Sequence, residues 1–250
     1  MSSPGSNTEE WRAVGRVAAL FRHPIKSMAA QLLANLTLDR HGVIGDRRFA
    51  LRRRGNESGF PWLTASKLPA LIRYRVESLD DQLAPTGVRA PDGEVIACDA
   101  TSIAAHFATA HNVDVELAHL RQGMFDAAGV SIITTQTLAS LSAMTGMALD
   151  PRRFRPNIII DVESSSDPYP EDNWVGRSIA FGNPRSGAKA AITELDERCV
   201  MINFDPDTGQ TAPEILRAVV QYRDNYAGVY AVPVRIGAIA IGDAAYVRAC

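Results

Sequence analysis

The chain has 250 residues, of which 46% are hydrophobic and 22% charged, with a formal net charge of −2. This composition is ordinary for a soluble globular protein, and the low charge gives no field to attract nucleic acid or an anionic membrane. No apolar run approaches a membrane span, and the first residues lack the features of a secretory signal. Three scattered cysteines fit a reducing compartment, so we expect a cytoplasmic protein.

Strand patterns dominate the first half of the chain. Residues 1–10 are small and polar and are predicted to be disordered. In Trp11–Arg22 the apolar residues recur with a period near two, which predicts a strand. Further strands are predicted at 32–39, 47–54 and 73–79, and helical spacing of apolar residues predicts a helix at 102–110.

The second half repeats this mixture of strands and helices. Strands are predicted at 130–134, 157–161, 178–181, 188–193, 230–236 and 238–241, and helices at 138–144 and 213–223. Many short strands with Gly/Pro turns predict a β-barrel, mostly β with a few helices and α+β overall. A boundary within 116–129 is predicted to divide the chain into a first region, 11–122, and a second domain, 123–250.

Cys199 is the most informative single residue. It follows Arg198 and precedes an apolar, β-prone run that ends in a turn of Asp, Pro and Gly. An adjacent cation favours thiolate over thiol, and thiolate binds soft metals or attacks electrophiles. The alternative is a buried structural cysteine, because free cysteine is among the most buried residue types.

Two basic motifs precede the middle of the chain. Lys26 and Ser27 follow the first predicted strand directly, where a cation and a hydroxyl can hold a phosphate or a polar heterocycle; the alternative is an exposed lysine in a turn. Arg47 and Arg48 begin another strand, so they should point to opposite faces. One of them should point inward, pair with a carboxylate such as Asp46, or meet an anionic ligand.

Two further candidates lie in the second half. Arg155 and Asn157 are two residues apart across a proline, so in extended geometry both side chains share a face. A guanidinium and an amide on one face suit a phosphate or a pterin edge, although a strand-start salt bridge and an Asn turn are the alternative. The hydroxyl run at 134–137, after residues 125–129, offers either ligand contacts or a cap for the following helix.

Several other functions find no support in the sequence. The five histidines lack zinc-type spacing, and His106 and His111, five apart, are predicted to diverge on a helix. The segment 205–209 reads as a turn, because a calcium loop would need Glu where Leu216 stands. No phosphate-cradling Gly-rich loop precedes a helix, and Gly-x-Ser-x-Gly is absent.

Seven motifs in a fixed order carry a family resemblance. They are His-Pro-Ile-Lys-Ser (23–27), Gly-Asp-Arg-Arg-Phe-Ala-Leu (45–51), Arg-Phe-Arg-Pro-Asn (153–157), Glu-Asp-Asn-Trp-Val-Gly (171–176), Arg-Cys-Val-Met (198–201), Asp-Pro-Asp-Thr-Gly (205–209) and Ile-Ala-Ile-Gly-Asp (239–243). From Trp11 onward the chain resembles a full-length MOSC protein, with an N-terminal β-barrel region and a C-terminal MOSC domain. That domain is found in molybdenum-cofactor sulfurases and in the mitochondrial amidoxime-reducing component.

The resemblance implies a molybdenum cofactor (Mo-molybdopterin), one molybdenum on one pyranopterin dithiolene. Cys199 matches the cysteine that ligates molybdenum, so it is the implied metal ligand and catalytic residue. Where reductase-branch members often have Thr-Thr-Val, this chain has Ile-Asn-Phe at 202–204. The implied cofactor-binding positions are Lys26, Ser27, Arg47, Thr134, Thr135, Arg155, Asn157, Arg198 and Tyr230.

The function implied by the resemblance is a molybdenum-dependent oxidoreductase that reduces small N-hydroxylated or N-oxide compounds. The sequence has no cysteine-rich iron–sulfur motif, so we expect electrons from a separate donor protein of the flavin-reductase or ferredoxin type. Two alternatives stay open. Cys199 could carry a persulfide in a sulfurtransferase, or the protein could bind the cofactor without catalysis.

Overall fold

A computed structural model describes residues 10–123, 125, 127–162 and 166–249. The predicted mostly β architecture with a few helices is confirmed: these residues form sixteen strands and three α-helices. The helices are α1 (Ala100–His111), α2 (Thr135–Thr145) and α3 (Pro213–Arg223). The strands are β1 (Trp11–Arg22), β2 (Gln31–Leu33), β3 (Asn35–Asp39), β4 (Gly42–Val43), β5 (Phe49–Arg53), β6 (Arg75–Leu79), β7 (Pro85–Arg89), β8 (Val95–Ala97), β9 (Val115–His119), β10 (Val130–Thr134), β11 (Ile158–Val162), β12 (Ser178–Phe181), β13 (Lys189–Glu197), β14 (Tyr226–Arg235), β15 (Gly237–Ala240) and β16 (Ala244–Arg248).

Seven strands close into a barrel. Their order is β11-β10-β14-β13-β12-β16-β1, and β1 pairs back onto β11. Only β10 and β11 run parallel; the other neighbours in the barrel are antiparallel. The closure needs a glycine, because a Cβ at Gly15 would lie 2.0 Å from the carbonyl oxygen of Asp161. The first strand therefore completes a barrel whose other six strands all come from the second half of the chain, and β2 pairs with β1 outside that ring.

The residues of β10 and β11 show why this part of the barrel is buried on both faces. Ile132 and Ile160 point into the barrel core, whereas Ile133 and Ile159 pack against the helices α2 and α3 outside it. Such strands appear in sequence as continuous apolar runs rather than as an alternating pattern. The candidate site lies beside these strands, because Ser131 of β10 and Arg155, just before β11, line it.

A second core lies under β5–β9 and the sheet β6-β7-β8. Leu51, Tyr74, Val88 and Phe107 are buried there, with α1 packed against the strands. The sequence predicted that the side chains of His106 and His111, five residues apart on α1, would diverge. Instead, both Nε2 atoms approach the Tyr74 hydroxyl, His106 at 2.8 Å and His111 at 2.6 Å, because the chain leaves the helix at His111. The predicted divergence is therefore wrong.

Some strands and helices begin and end at the predicted residues, whereas others differ because of the local backbone conformation. The strand Trp11–Arg22, the strand Val130–Thr134 and the helix Pro213–Arg223 have the bounds predicted from sequence. The strand predicted at 47–54 begins only at Phe49, because Arg47 has a φ of 49° and cannot start an extended segment. The strand predicted at 32–39 is two strands, β2 and β3.

Some predictions fall on parts of the chain that the structure does not describe. These are residues 1–9 of the predicted disordered segment and residue 126 of the candidate run 125–129. Among the described residues, no helix is both long enough and apolar enough to cross a membrane. The predicted division of the chain at 116–129 stays a prediction.

Candidate functional site

A cavity of about 330 Å³ opens beside the end of β13. It lies where the loop after β1, the loop before β5, the 3-10 turn Pro151–Phe154 and the 3-10 turn Val200–Asn203 meet. Its volume is within the usual range for small-molecule sites. The lining residues are Lys26, Ser27, Arg47, Phe60, Thr64, Ser66, Ser131, Arg153, Phe154, Arg155, Asp196, Glu197, Arg198, Cys199, Val200, Met201, Ile202 and Tyr230.

Cys199 is exposed at the wall of this cavity. It occupies the N-terminal cap of the turn Val200–Asn203, and its thiol makes no cap hydrogen bond. The alternative of a buried structural cysteine is therefore wrong for this residue. Cys98 provides the contrast, because it lies half-buried in the second core and burial, followed by the charge of Asp99, raises the pKa of its thiol to about 11.

Three lining residues have backbone conformations that side chains with a Cβ rarely adopt. The φ angles are 68° at Ser27, 49° at Arg47 and 51° at Arg155. Each such residue costs about 1–3 kcal/mol and persists only where its surroundings hold it in place. Strained positions concentrate at binding sites, so their convergence on one cavity makes it the candidate functional site.

Arg47 is held from two directions. Its guanidinium pairs with the fully buried Asp46, and Nη2 donates to the carbonyl of Arg155 at 3.0 Å. Asp46 also accepts a hydrogen bond from the backbone of His23 at 2.5 Å. Arg47 thus forms the salt bridge predicted as one alternative and also lines the cavity, while Arg48 pairs with Asp39 instead.

The surroundings of His23 and Asp46 favour a neutral imidazole on His23 and an ionised carboxylate on Asp46. Burial and then the charges of Arg155 and Arg47 lower the pKa of His23 to about 3. Burial alone would raise the pKa of Asp46, but Arg47 and His23 together hold it well below its ordinary value. The cluster therefore keeps a cation, Arg47, next to the cavity over the neutral pH range.

Lys26, Ser27 and Arg155 enter the cavity from neighbouring loops. The backbone of Lys26 donates to the carbonyl of Phe49 at 2.8 Å, which ties the loop after β1 to β5. Arg155 donates from Nη1 to the carbonyl of Met28 at 2.8 Å. The predicted cofactor residues Lys26, Ser27, Arg47, Arg155, Arg198, Cys199 and Tyr230 all line this one cavity.

Arg198 joins the cavity wall to the strands behind it. Its guanidinium donates to the carbonyls of Ala227 and Phe154, each at 2.7 Å, and pairs with Asp196 at 2.8 Å. These contacts fix the chain immediately before Cys199. Gly228 leaves room for them, because a Cβ there would lie 3.1 Å from Arg198 Nη2.

Three residues assigned by the resemblance do not line the cavity. The Thr134 hydroxyl caps α2 and donates to the buried Glu171 at 2.7 Å, so its role is the helix cap that was the alternative. Thr135 donates to Asp161 at 2.8 Å. Asn157 is buried and bridges β10 to β1, accepting from Ser131 N at 3.1 Å and donating to the carbonyl of Phe21 at 3.2 Å.

The reason for one of these differences is the turn before β11. Asp150 caps the 3-10 turn Pro151–Phe154, and Arg155 ends that turn in the left-handed conformation. The backbone is therefore not extended across Pro156, and Arg155 and Asn157 do not share a face. Arg155 reaches the cavity, whereas Asn157 turns into the barrel wall.

Sequence reasoning missed six polar residues of the cavity wall, and two of them, Thr64 and Ser66, lie between β5 and β6. Ser131 lies on β10, Arg153 precedes Phe154 in the capped turn, and Asp196 and Glu197 end β13. Arg153 belongs to a motif that the sequence already singled out, so its position carried a signal. Asp196 carried none, because bulges between Ile192 and Glu197 disturb the alternation of β13.

The cavity suits an anionic ligand with a soft centre. Five lining side chains are cationic and two are carboxylates, and one thiol is exposed among them. Among the described residues, no group of three or more His, Cys, Asp or Glu side chains is placed to hold a metal ion. These features fit a molybdenum–pterin cofactor.

The fold and the cavity define a β-barrel protein with a cationic, thiol-bearing ligand cavity. The chain belongs to the MOSC family, because the MOSC domain model matches residues 116–246 and the MOSC N-terminal β-barrel domain model matches residues 14–131. This family is associated with molybdenum-cofactor binding, and its members are often enzymes related to that cofactor.

A solved structure shows the same fold at low sequence identity. The chain is similar to the YuaD protein from Bacillus subtilis, with 15% identity and a TM-score of 0.52 over 96% of this chain and all of that one. It is also similar to YiiM from Geobacillus stearothermophilus, with 15% identity and a TM-score of 0.37 over 48% of this chain and 54% of that one. Among curated proteins, none matches the sequence significantly.

Proposed function

We propose that this protein binds a molybdenum cofactor in the cavity beside Cys199 and reduces small N-hydroxylated or N-oxide compounds. The observation that carries the proposal is the exposed thiol of Cys199 at the wall of a cavity with five cationic side chains. Bound there, the cofactor would supply the redox chemistry, while the protein supplies position and access.

The cationic side chains would hold the anionic part of the cofactor. Lys26 and Arg47 reach the cavity from the two loops on one side, and Arg155 reaches it from the capped turn. Guanidinium groups form bidentate, charge-assisted hydrogen bonds with phosphate, and lysine adds a point charge. Because Arg47 is already oriented by Asp46 and by the carbonyl of Arg155, little side-chain entropy is lost on binding.

Cys199 would provide the protein ligand of the metal. Thiolate is a soft ligand, which suits molybdenum better than the oxygen of a serine. The residue is presented by the turn Val200–Asn203 and steadied by the preceding Arg198. Ile202 of that turn lines the cavity, whereas Asn203 is turned away, and its side chain accepts a hydrogen bond from Leu216 N at 2.9 Å.

The proposed reaction has a simple balance. A hydroxylamine R–NH–OH takes up two electrons and two protons, its N–O bond breaks, and R–NH₂ and water are released. Three scattered cysteines cannot supply the four thiolates of an iron–sulfur cluster. The electrons are therefore proposed to come from a separate donor protein of the flavin-reductase or ferredoxin type.

The first experiment measures cofactor content. The protein is purified from a host that makes the cofactor, and molybdenum and pterin are determined per chain for the wild type, Cys199→Ser and Cys98→Ser. We expect both components in the wild type and in Cys98→Ser, and loss of turnover in Cys199→Ser with the fold retained. Wild-type protein without molybdenum or pterin would contradict the proposal.

The second experiment separates reduction from sulfur transfer. Loaded protein is given an amidoxime or a hydroxylamine with reduced viologen, with NADH alone, and with NADH plus a flavin- or ferredoxin-type reductase. We expect reduction in the first and third reactions only. A protein that fails with viologen, yet gains a sulfur atom on Cys199 from a persulfide donor, would be a sulfur carrier instead.

A further inference from the structure

Asp196 is a buried carboxyl in the wall of the functional cavity. It lies near the end of β13, only 1% exposed, three residues before Cys199. Carboxylates are almost never fully buried unless they are paired, so the partners of both oxygens of Asp196 need to be identified. The cofactor-binding role proposed above does not use this residue, because a carboxylate would repel an anionic ligand.

The two oxygens of Asp196 have different surroundings. Oδ2 accepts from the hydroxyl of Ser131 at 2.8 Å and pairs with Arg198 Nη2 at 2.8 Å. The hydroxyl of Tyr230 also acts on this carboxyl group by hydrogen bonding, whereas Oδ1 itself has no hydrogen-bond partner among the described residues. Buried polar atoms are nearly always satisfied, and exceptions in native structures point to strain, chemistry or a missing ligand. An unsatisfied oxygen in a cavity wall points to a group that binds in the cavity.

Burial allows the carboxyl group of Asp196 to hold a proton near pH 6. Burial raises its pKa to about 6, against the lowering effects of Arg198, Ser131, Tyr230 and Arg47. Arg198 lies just after the end of β13 and Ser131 lies on β10. Tyr230 lies on β14, and Arg47 lies in the loop before β5. Asp196 is therefore protonated in a substantial fraction of molecules just below neutral pH, and a protonated carboxyl group can donate its proton.

We propose that Asp196 is a catalytic proton donor in this cavity, giving its proton to the oxygen of an N-hydroxylated substrate as the N–O bond breaks. The inference rests on the proposed function. In R–NH–OH + 2e⁻ + 2H⁺ → R–NH₂ + H₂O, Asp196 supplies one proton and solvent supplies the other, while the separate donor protein supplies both electrons. The carboxylate left behind is reprotonated from solvent through the cavity opening.

The first test examines the titration in unloaded protein, where no activity is needed. Infrared difference spectra are recorded against pH for the wild type, Asp196→Asn and Glu194→Gln, an exposed carboxyl on the same strand outside the cavity. We expect one carboxyl band that titrates near pH 6 in the wild type and in Glu194→Gln and is missing in Asp196→Asn. A wild type without such a band overturns the inference, whatever the protein does.

The second test examines turnover of loaded protein with reduced viologen. General acids contribute typically 10²–10⁴-fold, so we expect kcat of Asp196→Asn to fall at least about a hundredfold at unchanged molybdenum content. The wild-type rate should fall as pH rises through the titration of Asp196, because the donor must be protonated, and Asp196→Asn should lose this dependence. Glu194→Gln should keep both the rate and the dependence.

A second variant guards against misfolding of Asp196→Asn. Ser131→Ala removes a hydrogen bond that lowers the pKa of Asp196, so it should move the pH dependence of turnover toward higher pH. An unmoved profile overturns the inference, as does loss of molybdenum in Asp196→Asn, which would make Asp196 part of the cofactor site. If the wild type carries no cofactor, the proposed function fails and this inference with it, even where the infrared titration succeeds.

Discussion

Replacing Asp46 with asparagine should be the most costly single change to the loops that carry the cavity. Asp46 is fully buried, pairs with Arg47, and accepts a hydrogen bond from His23 N at 2.5 Å. The substitution keeps the volume of the side chain and removes its charge. Arg47 is then left as a largely buried cation, only 13% exposed, without its counter-charge.

The structure sets the size of the expected loss. Breaking a buried ion pair by removing one partner costs about 3–5 kcal/mol. For a chain of this length, each kcal/mol lowers Tm by about 2–4 °C, so the expected fall is roughly 6–20 °C. Cofactor retention should weaken as well, because Arg47 loses the contact that aims it into the cavity.

Urea unfolding of the unloaded protein measures this loss, with Asp114→Asn as the matched control. Asp114 also pairs with an arginine, Arg54, at 3.7 Å, but both side chains of that pair are largely exposed, at 70% and 52%. Pairs that solvent reaches contribute about 0–1 kcal/mol, so the control should change stability little. Equal losses in the two variants would refute the argument that Asp46 anchors a buried ion pair.

Three further predictions concern stability and the limits of the site. Since the pKa of His23 is about 3 when folded and 6.5 ordinarily, only the unfolded chain gains its proton below pH 6.5. Urea unfolding should therefore show that the wild type loses more stability than His23→Asn between pH 6.5 and 4.5. Other titrating groups, such as Asp196, are present in both proteins and contribute equally to both losses. Equal losses in the two proteins would contradict the burial of a neutral imidazole. Gly15→Ala should lower the free energy of unfolding, measured in urea, by at least about 2 kcal/mol, because the added Cβ would lie 2.0 Å from the carbonyl oxygen of Asp161. A loss below about 0.5 kcal/mol would contradict this close approach. Thr135→Ala should leave molybdenum content unchanged, because Thr135 lies outside the cavity lining, and a fall in that content would contradict its placement.

The regular elements were predictable where one periodic signal dominates. The near-alternation in Trp11–Arg22 and the helical spacing in Pro213–Arg223 give the observed bounds. The closure of the barrel could not be predicted, because β1 pairs with β11 across more than a hundred residues of chain. Sequence pattern records which face of a strand is apolar, but it does not record which distant strand lies beside it.

The candidate site was partly predictable for a similar reason. Cys199, Lys26 and Arg47 stand in motifs, and the structure brings them to one cavity. Arg155 also lines that cavity, but the extended backbone predicted for it is wrong, because its left-handed φ depends on the capped turn before it. Asp196 could not be found, because the bulges of β13 hide which of its side chains face inward.

The most direct test of the central claim is X-ray absorption at the molybdenum edge of protein purified with its cofactor. The spectrum counts the sulfur atoms bound to molybdenum in the wild type, in Cys199→Ser and in the control Cys98→Ser. If Cys199 is the protein ligand in this cavity, the wild type and the control have one more molybdenum–sulfur bond than Cys199→Ser. The same sulfur count in all three proteins, or wild-type protein without molybdenum, would contradict it.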